Sequence, residues 1–212
     1  MAQRKKPEES KPASPDLLDV AFGVIGEMGL RDDVARQVAD RAGTSLSEVY
    51  RQFPTENALI GALSRRVDER MLETDPLELE ALPPRDRVFE LMMSRFEALQ
   101  PYRPGLRRLA RGARGDPLLL LTTACRLERS LIWLQAAAGL PARGLRAQLA
   151  RRMLTLVYIR AMRVWFDEEG LDMAKTMAGL DRDLRRMEGL AGLAERPGRE
   201  RPSAPEPAGE PA

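Results

Sequence analysis

Six polar side chains that could bind nucleic acid are concentrated within nine consecutive positions of the 212-residue chain. They are Thr44, Ser45, Ser47, Tyr50, Arg51 and Gln52. Hydroxyl groups donate hydrogen bonds to phosphate oxygens, and arginine and glutamine also reach base edges, where a good pairing contributes about 1–3 kcal/mol. Glu48 lies among these residues and Glu56 follows shortly after them, and carboxylates repel phosphate. The segment therefore predicts a nucleic-acid contact surface with an unusual charge.

Other kinds of chemistry have little support among the residue types. The chain has no histidine and a single cysteine, Cys125, so the commonest general base, the commonest metal ligand and an intrachain disulfide are all missing. The sequence contains no glycine-rich phosphate loop and no nucleophile elbow, which leaves carboxylates and lysines as the remaining catalytic groups. We therefore expect a protein that is not an enzyme and that uses no cofactor and no metal.

Cap residues and glycines predict two helices ahead of the polar segment. A serine cap, a proline and an acid follow one another at 14–16, and Gly29 closes the first helix. Asp32 or Asp33 caps a second, shorter helix, which Gly43 ends. The polar segment then follows as the start of a third helix.

The third helix is predicted from a cap and an apolar face. Ser45 and Glu48 have the spacing of a capping box, in which the glutamate bonds back to the serine N–H. The apolar face consists of Leu46, Val49, Tyr50 and Phe53. Tyr50 can therefore be interpreted either as a packing residue or as a donor to phosphate. Pro54 stops this helix, and Thr55 caps the next one.

An ordered set of residues runs through these helices. It consists of Ala42-Gly43, Ser45, Val49-Tyr50, Phe53-Pro54 and Ala58-Leu59. With this set, residues 17–60 resemble the N-terminal domain of the TetR family of bacterial transcriptional regulators. The chain departs from the family pattern at Glu56, where many members carry lysine, and at Ser47-Glu48, where Gly-Thr is frequent.

The resemblance implies both a fold and a function. The implied fold is all-α, with an N-terminal three-helix helix-turn-helix domain, a larger helical ligand-binding and dimerisation domain, and about nine helices. The implied function is that of a dimeric repressor whose recognition helix, residues 45–52, enters the major groove of a palindromic DNA operator. A small apolar or anionic effector would release it, and the homodimer would form through the C-terminal helices.

Composition divides the chain into five parts. Residues 1–13 form a basic tail and residues 195–212 a second tail, both predicted to be disordered. Residues 14–72 form the helix-turn-helix domain, and residues 73–84 form a linker with prolines as helix breakers. Residues 85–194 form the helical ligand-binding and dimerisation domain.

Four residues of the larger domain are candidates for lining a ligand pocket. They are Phe96, Arg126, Trp133 and Arg160. Aromatic rings suit an apolar ligand, and a guanidinium suits an anionic one. The alternatives are that the aromatic residues belong to the core or the dimer interface, and that the arginines form ion pairs. Asp172 is expected to cap the last helix.

The charge distribution favours a second, looser resemblance. Residues 16–70 contain seven Lys/Arg against ten Asp/Glu, and residues 85–188 contain twenty against twelve, so their net charges are −3 and +8. Residues 132–139, 155–162 and 165–170 are similar in order to stretches of the lipid-binding proteins of ubiquinone biosynthesis. That family has the TetR-type fold without DNA binding, which implies an isoprenoid lipid and a membrane surface as alternative partners.

The most hydrophobic run argues against a membrane span. It covers residues 117–125 and ends at Arg126, well short of the roughly 20 apolar residues that a spanning helix needs. The basic start of the chain lacks the apolar region of a signal peptide. We expect a cytoplasmic protein.

Overall fold

The computed structural model describes residues 16–112, 115–141 and 143–194. Within these ranges the chain forms ten α-helices and no strand, which confirms the all-α prediction. The helices are α1 (Leu17–Met28), α2 (Val34–Ala42), α3 (Leu46–Gln52), α4 (Glu56–Leu72), α5 (Pro76–Glu80), α6 (Pro84–Leu99), α7 (Arg103–Gly112), α8 (Pro117–Ala137), α9 (Leu145–Asp167) and α10 (Ala174–Ala194). A 3-10 turn, Gln100–Tyr102, leads from α6 into α7. The tails predicted at 1–13 and 195–212 lie outside the described residues.

Helices α1 to α3 form the helix-turn-helix domain. Asp16 caps α1 by accepting a hydrogen bond from the Leu18 N–H at 2.8 Å, so the acid predicted for the first turn is the cap itself. Gly29 and Gly43 end α1 and α2 with φ angles of +77° and +63°, a backbone conformation that glycine adopts without steric cost. The domain core consists of Leu18, Phe22, Ile25, Val38 and Val49.

Helix α4 packs against both parts of the molecule. Its cap is the predicted Thr55, whose hydroxyl oxygen accepts from the Ala58 N–H at 3.1 Å. Its buried face consists of Leu59, Leu63, Val67 and Met71, and the helix contacts α1, α6 and α8. Arg66 on α4 donates to Asp19 on α1 and to the Tyr102 hydroxyl, each at 2.8 Å. Burial, together with the hydrogen bond to Asp19, raises the pKa of that hydroxyl above its usual value.

The core of the larger domain is built around an aromatic cluster. Phe96 on α6 stacks on Tyr158 of α9 with ring centroids 5.2 Å apart, and its ring lies 5.8 Å from that of Trp165. Phe96 and Trp165 are fully buried. The Trp165 Nε1–H donates to the Gln100 side chain at 2.8 Å, so the polar group of the indole is satisfied.

A buried guanidinium joins four helices beside this cluster. Arg95 of α6 is 4% exposed and donates to the carboxylate of Asp68 on α4 and to the hydroxyl of Ser130 on α8. The Ser130 hydroxyl donates to Asp68 in turn. The guanidinium also lies 5.4 Å from the centre of the Tyr158 ring on α9. A buried charge needs such partners, so this group fixes how α4 packs on the larger domain.

The linker contains a helix that its prolines do not predict. Helix α5 begins with Pro76, and the Asp75 carboxylate caps it by accepting from the Leu77 N–H at 2.9 Å. Proline is favoured at the first helical position, because the N–H it lacks would have no partner there. The interpretation of Pro76 as a helix breaker is therefore wrong at this position.

The cap of α10 also differs from the prediction. The carboxylate of Glu168, which is buried, accepts from the N–H groups of Lys175 at 2.7 Å and Thr176 at 3.1 Å, and from the Thr176 hydroxyl at 2.6 Å. The predicted cap, Asp172, makes one contact of 3.5 Å with the Ala174 N–H. Burial raises the pKa of Glu168, but the hydrogen bonds outweigh it and hold the pKa below its usual value.

Helices α1 and α7 cross with their backbones in contact. A methyl group on Gly105 of α7 would lie 2.7 Å from the carbonyl oxygen of Phe22 and 2.9 Å from its ring. A methyl group on Gly26 of α1 would lie 3.1 Å from the Pro104 side chain. The crossing therefore requires residues without a side chain, and it joins the helix-turn-helix domain to the larger domain at a second place besides α4.

We predict that Gly105→Ala lowers the free energy of unfolding by about 1–3 kcal/mol, because α1 and α7 must move apart to fit the methyl group. Gly23→Ala, on α1, is the matched control, since nothing lies within 4 Å of its added methyl group. The control should be neutral or stabilising by up to about 1 kcal/mol. Urea unfolding measures both, and equal midpoints for the two variants would contradict this packing.

Candidate nucleic-acid interface

Helix α3 is held by a cap at its start and by one buried side chain. The Ser45 hydroxyl oxygen accepts from the Glu48 N–H at 3.2 Å, which confirms the predicted cap. Val49 is 5% exposed and packs into the domain core, with Phe53 partly buried next to it. The side of the helix opposite Val49 faces outward.

The exposed side of α3 presents most of the predicted contact residues. Tyr50 is 70% exposed and the Arg51 side chain 68%, and Ser47 and Gln52 are exposed as well. Thr44, in the turn between α2 and α3, is half-buried. The structure thus places the six predicted residues on and beside one short helix.

Only two of the four residues on the apolar face predicted for α3 pack against the core. Val49 and Phe53 face the core, whereas Leu46 is 51% exposed and Tyr50 more so. A helix of seven residues has one side against α2, so residues at its edges stay in solvent. Tyr50 is therefore not a core residue, and its hydroxyl is accessible.

Glu48 connects the two side chains predicted to reach base edges. Its carboxylate accepts from the Arg51 guanidinium, one turn along the helix, and from the Gln52 amide at 3.0 Å. The carboxylate points along the helix and not back to the Ser45 N–H, so the reciprocal half of the predicted capping box does not form. The Arg51 charge is compensated within the helix.

Glu56 lies in the first turn of α4, next to α3. It is exposed and follows the Thr55 cap, a position where the helix dipole favours an acid. Asn57, the next residue, accepts from the Arg126 guanidinium of α8 through its backbone oxygen at 3.0 Å and its side-chain oxygen at 2.9 Å. The start of α4 is thereby tied to the larger domain.

The four candidate pocket residues do not share a site in the structure. Phe96 belongs to the core, and Arg126 bonds to Asn57. Trp133 is 55% exposed on α8, and Arg160 pairs with Asp183 of α10 at 3.1 Å. An open cleft between α1, α7 and the α9–α10 connection is lined by four arginines and two glutamates and by none of these four residues. Their role in binding a ligand stays a prediction.

Sequence reasoning missed Asp68, Arg95 and Ser130, which together carry the buried polar network between α4 and the larger domain. One signal was available, since Arg95 is a lone cation between buried Met92 and Phe96. Asp68 and Ser130 give no such signal, because their partner lies on another helix.

Comparison with known proteins finds a likeness among solved structures. No family model and no curated protein matches the chain. Among solved structures, the TetR transcriptional regulator from Nitrosomonas europaea ATCC 19718 is 22% identical, with a TM-score of 0.69 over 84% of this chain and 99% of that one. The chain has the TetR fold. The predicted resemblance is confirmed at the level of the fold.

We predict that Ser45→Ala lowers the free energy of unfolding by about 1 kcal/mol, because the Glu48 N–H at the start of this TetR-fold helix loses its acceptor. Ser45→Asp supplies a carboxylate acceptor at the same place and should unfold close to the wild type. Thermal unfolding measures both. If the two variants lose the same stability, the cap is not what Ser45 contributes.

Proposed function

We propose that this protein is a TetR-like DNA-binding transcriptional regulator that uses α3 as its recognition helix. The observation that carries the proposal is the exposed side of α3, which offers hydroxyl, guanidinium and amide groups on a helix-turn-helix of the TetR fold. A helix of this kind fits the major groove of B-form DNA. The structure with the same fold is that of a transcriptional regulator.

The contact residues divide by chemistry. Thr44, Ser45, Ser47 and Tyr50 would donate hydroxyls to phosphate oxygens. The Ser45 oxygen already accepts from the Glu48 N–H, and its hydroxyl hydrogen is left for phosphate. Arg51 and Gln52 have the groups that read base edges, arginine on guanine and glutamine on adenine.

A homodimer is supported by exposed apolar side chains on α8 and α9. Those on α8 are Leu118, Leu120, Leu121, Ile132 and Trp133, and those on α9 are Leu145, Leu149, Leu156 and Ile159. The four on α9 recur every three, four or seven positions and so lie along one side of the helix. A row of exposed apolar side chains along one side of a helix is typical of a protein interface, and we assign this one to a second copy of the chain. Two recognition helices about 34 Å apart would then match a palindromic operator.

Repression released by an effector is supported by the contacts between the larger domain and α4. Arg126 of α8 holds Asn57 in the first turn of α4, and Arg95 and Ser130 hold Asp68 near the other end of that helix. A small apolar or anionic molecule that shifts α8 would therefore move the start of α4, which is next to α3. Such a movement would change the spacing of the two recognition helices in the dimer.

We predict that Arg51→Ala weakens binding to operator DNA by about tenfold or more, because a base or phosphate contact is lost. Glu56→Lys should strengthen binding and steepen its dependence on salt, because it adds a cation beside the phosphates. Arg185→Ala on α10 is the control, since Arg185 is as exposed as Arg51 and lies far along the chain. Fluorescence anisotropy over a salt series measures all three.

If neither Arg51→Ala nor Glu56→Lys changes the affinity, α3 is not at the DNA. The alternative is then the TetR-fold lipid-binding protein of ubiquinone biosynthesis. Extraction of the purified protein with organic solvent, followed by mass spectrometry, would show whether an isoprenoid lipid is bound.

For the dimer, we predict that Leu149→Glu or Leu156→Glu yields monomers, because a carboxylate would be buried in the interface from both copies. Leu77→Glu is the matched control, since Leu77 is 75% exposed and lies on α5, outside α8 and α9. Light scattering after gel filtration measures the mass. Variants of α9 that remain dimeric would place the interface elsewhere.

A further inference from the structure

Glu48 occupies an unexpected place in a helix proposed to enter DNA. The residue is on the exposed half of α3, and its side chain is 31% exposed. Each of its two oxygens holds one neighbour: one accepts from the Arg51 guanidinium and the other from the Gln52 amide at 3.0 Å. The acid is therefore in direct contact with both side chains that have the chemistry to read bases.

The helix dipole favours an acid in the first turn of α3, as it does at Glu56 in α4, but helix stability does not require this carboxylate to hold both Arg51 and Gln52. Exposed ion pairs one turn apart on a helix contribute little to folding, and the Arg51 side chain is 68% exposed. The backbone N–H of Glu48 already meets the Ser45 cap whatever its side chain is. The carboxylate thus has a fixed position and orientation that the fold itself does not need.

The pair has a consequence for binding to DNA in general. The Arg51 charge is neutralised by Glu48, and affinity that does not depend on sequence rises with the number of phosphates that free cations neutralise. A neutral pair on α3 therefore lowers binding to arbitrary duplexes. Discrimination between sequences is then left to hydrogen-bond geometry.

The remaining acceptor capacity of Glu48 determines which base it could contact. A carboxylate has about four acceptor positions, and two are used here, so acceptor positions remain free. In the major groove, cytosine presents its N4 amino group as a donor, and carboxylates are its usual partners. Guanine presents two acceptors there, which match the Arg51 guanidinium and repel the carboxylate. The acceptor and donor held side by side are complementary to a C·G base pair.

We propose that Glu48 is a specificity-determining residue: it accepts from cytosine N4 at one position of each half-site and holds Arg51 toward the guanine of the same pair. The proposal rests on the proposed function of α3 in DNA binding. In this role the acid discriminates by repulsion against guanine and thymine, which present acceptors, and it also limits binding to arbitrary DNA.

The test is selection from a random duplex library by the purified full-length protein, followed by sequencing of the bound fraction. Three proteins are compared: the wild type, Glu48→Gln and Glu56→Gln. Glu56→Gln is the matched control, because it removes the same charge from the neighbouring helix, outside α3. Circular dichroism establishes that the variants are folded.

The wild type is expected to enrich an inverted repeat with C·G at one position of each half-site. Glu48→Gln should shift that position toward A·T by about tenfold or more, because glutamine pairs with adenine, and should leave the other positions unchanged. It should also bind an arbitrary duplex more tightly. Glu56→Gln should raise affinity for all sequences and keep the wild-type preference.

Two results would overturn the proposal, and they are distinguishable. If Glu48→Gln and Glu56→Gln raise affinity alike and enrich the wild-type motif, Glu48 acts through its charge and does not select a base. If the wild type enriches no motif, the result contradicts the proposed function and therefore also the proposed role of Glu48.

Discussion

The packing of α4, α6, α8 and α9 depends on one buried cation. Arg95 is almost fully enclosed, and removing a guanidinium from water costs several kcal/mol unless a carboxylate and further hydrogen bonds replace the water. Asp68 and Ser130 supply these partners from α4 and α8, and Tyr158 of α9 supplies the face of its ring. Since α4 leads directly out of the helix-turn-helix, satisfying this charge also sets where that domain sits against the larger one.

Local signals in the sequence predict most of the helices. The caps Ser45 and Thr55 and the terminal glycines Gly29 and Gly43 act within one turn of their own position, and the structure has them as expected. Glu168 caps a helix that begins six residues later, so spacing rules that operate within one turn assign that cap to Asp172 instead.

The residues of the candidate interface could be predicted from the sequence, but their side-chain contacts could not. The six polar residues lie on and beside α3 as expected, because the helix and its buried side were both readable from the pattern. The sequence did not predict the exposure of Tyr50 or the direction of the Glu48 side chain. Both depend on how much of this two-turn helix is covered by neighbouring helices. The partners of Arg126 and Arg160 could not be predicted either, because Asn57 and Asp183 are distant from them in sequence.

Most of the carboxylates in residues 16–70 are compensated by arginines. The pairs are Asp16 and Asp19 with Arg66, Glu27 with Arg41, Asp33 with Arg31, Glu48 with Arg51 and Asp68 with Arg95. Charges within a pair cancel, so these carboxylates add little to the field at the exposed side of α3. A low density of free cations there favours selective binding over tight binding to any DNA.

The most direct test of DNA recognition is capture of sheared genomic DNA from the organism that encodes the protein. The purified full-length chain would be incubated with the fragments at low and then at physiological salt, and the retained fragments sequenced. Our account predicts a few enriched sites that share an inverted repeat and persist at physiological salt. Retention of no specific fragments at either salt concentration would contradict it. The protein would then have a helix-turn-helix fold that does not bind DNA.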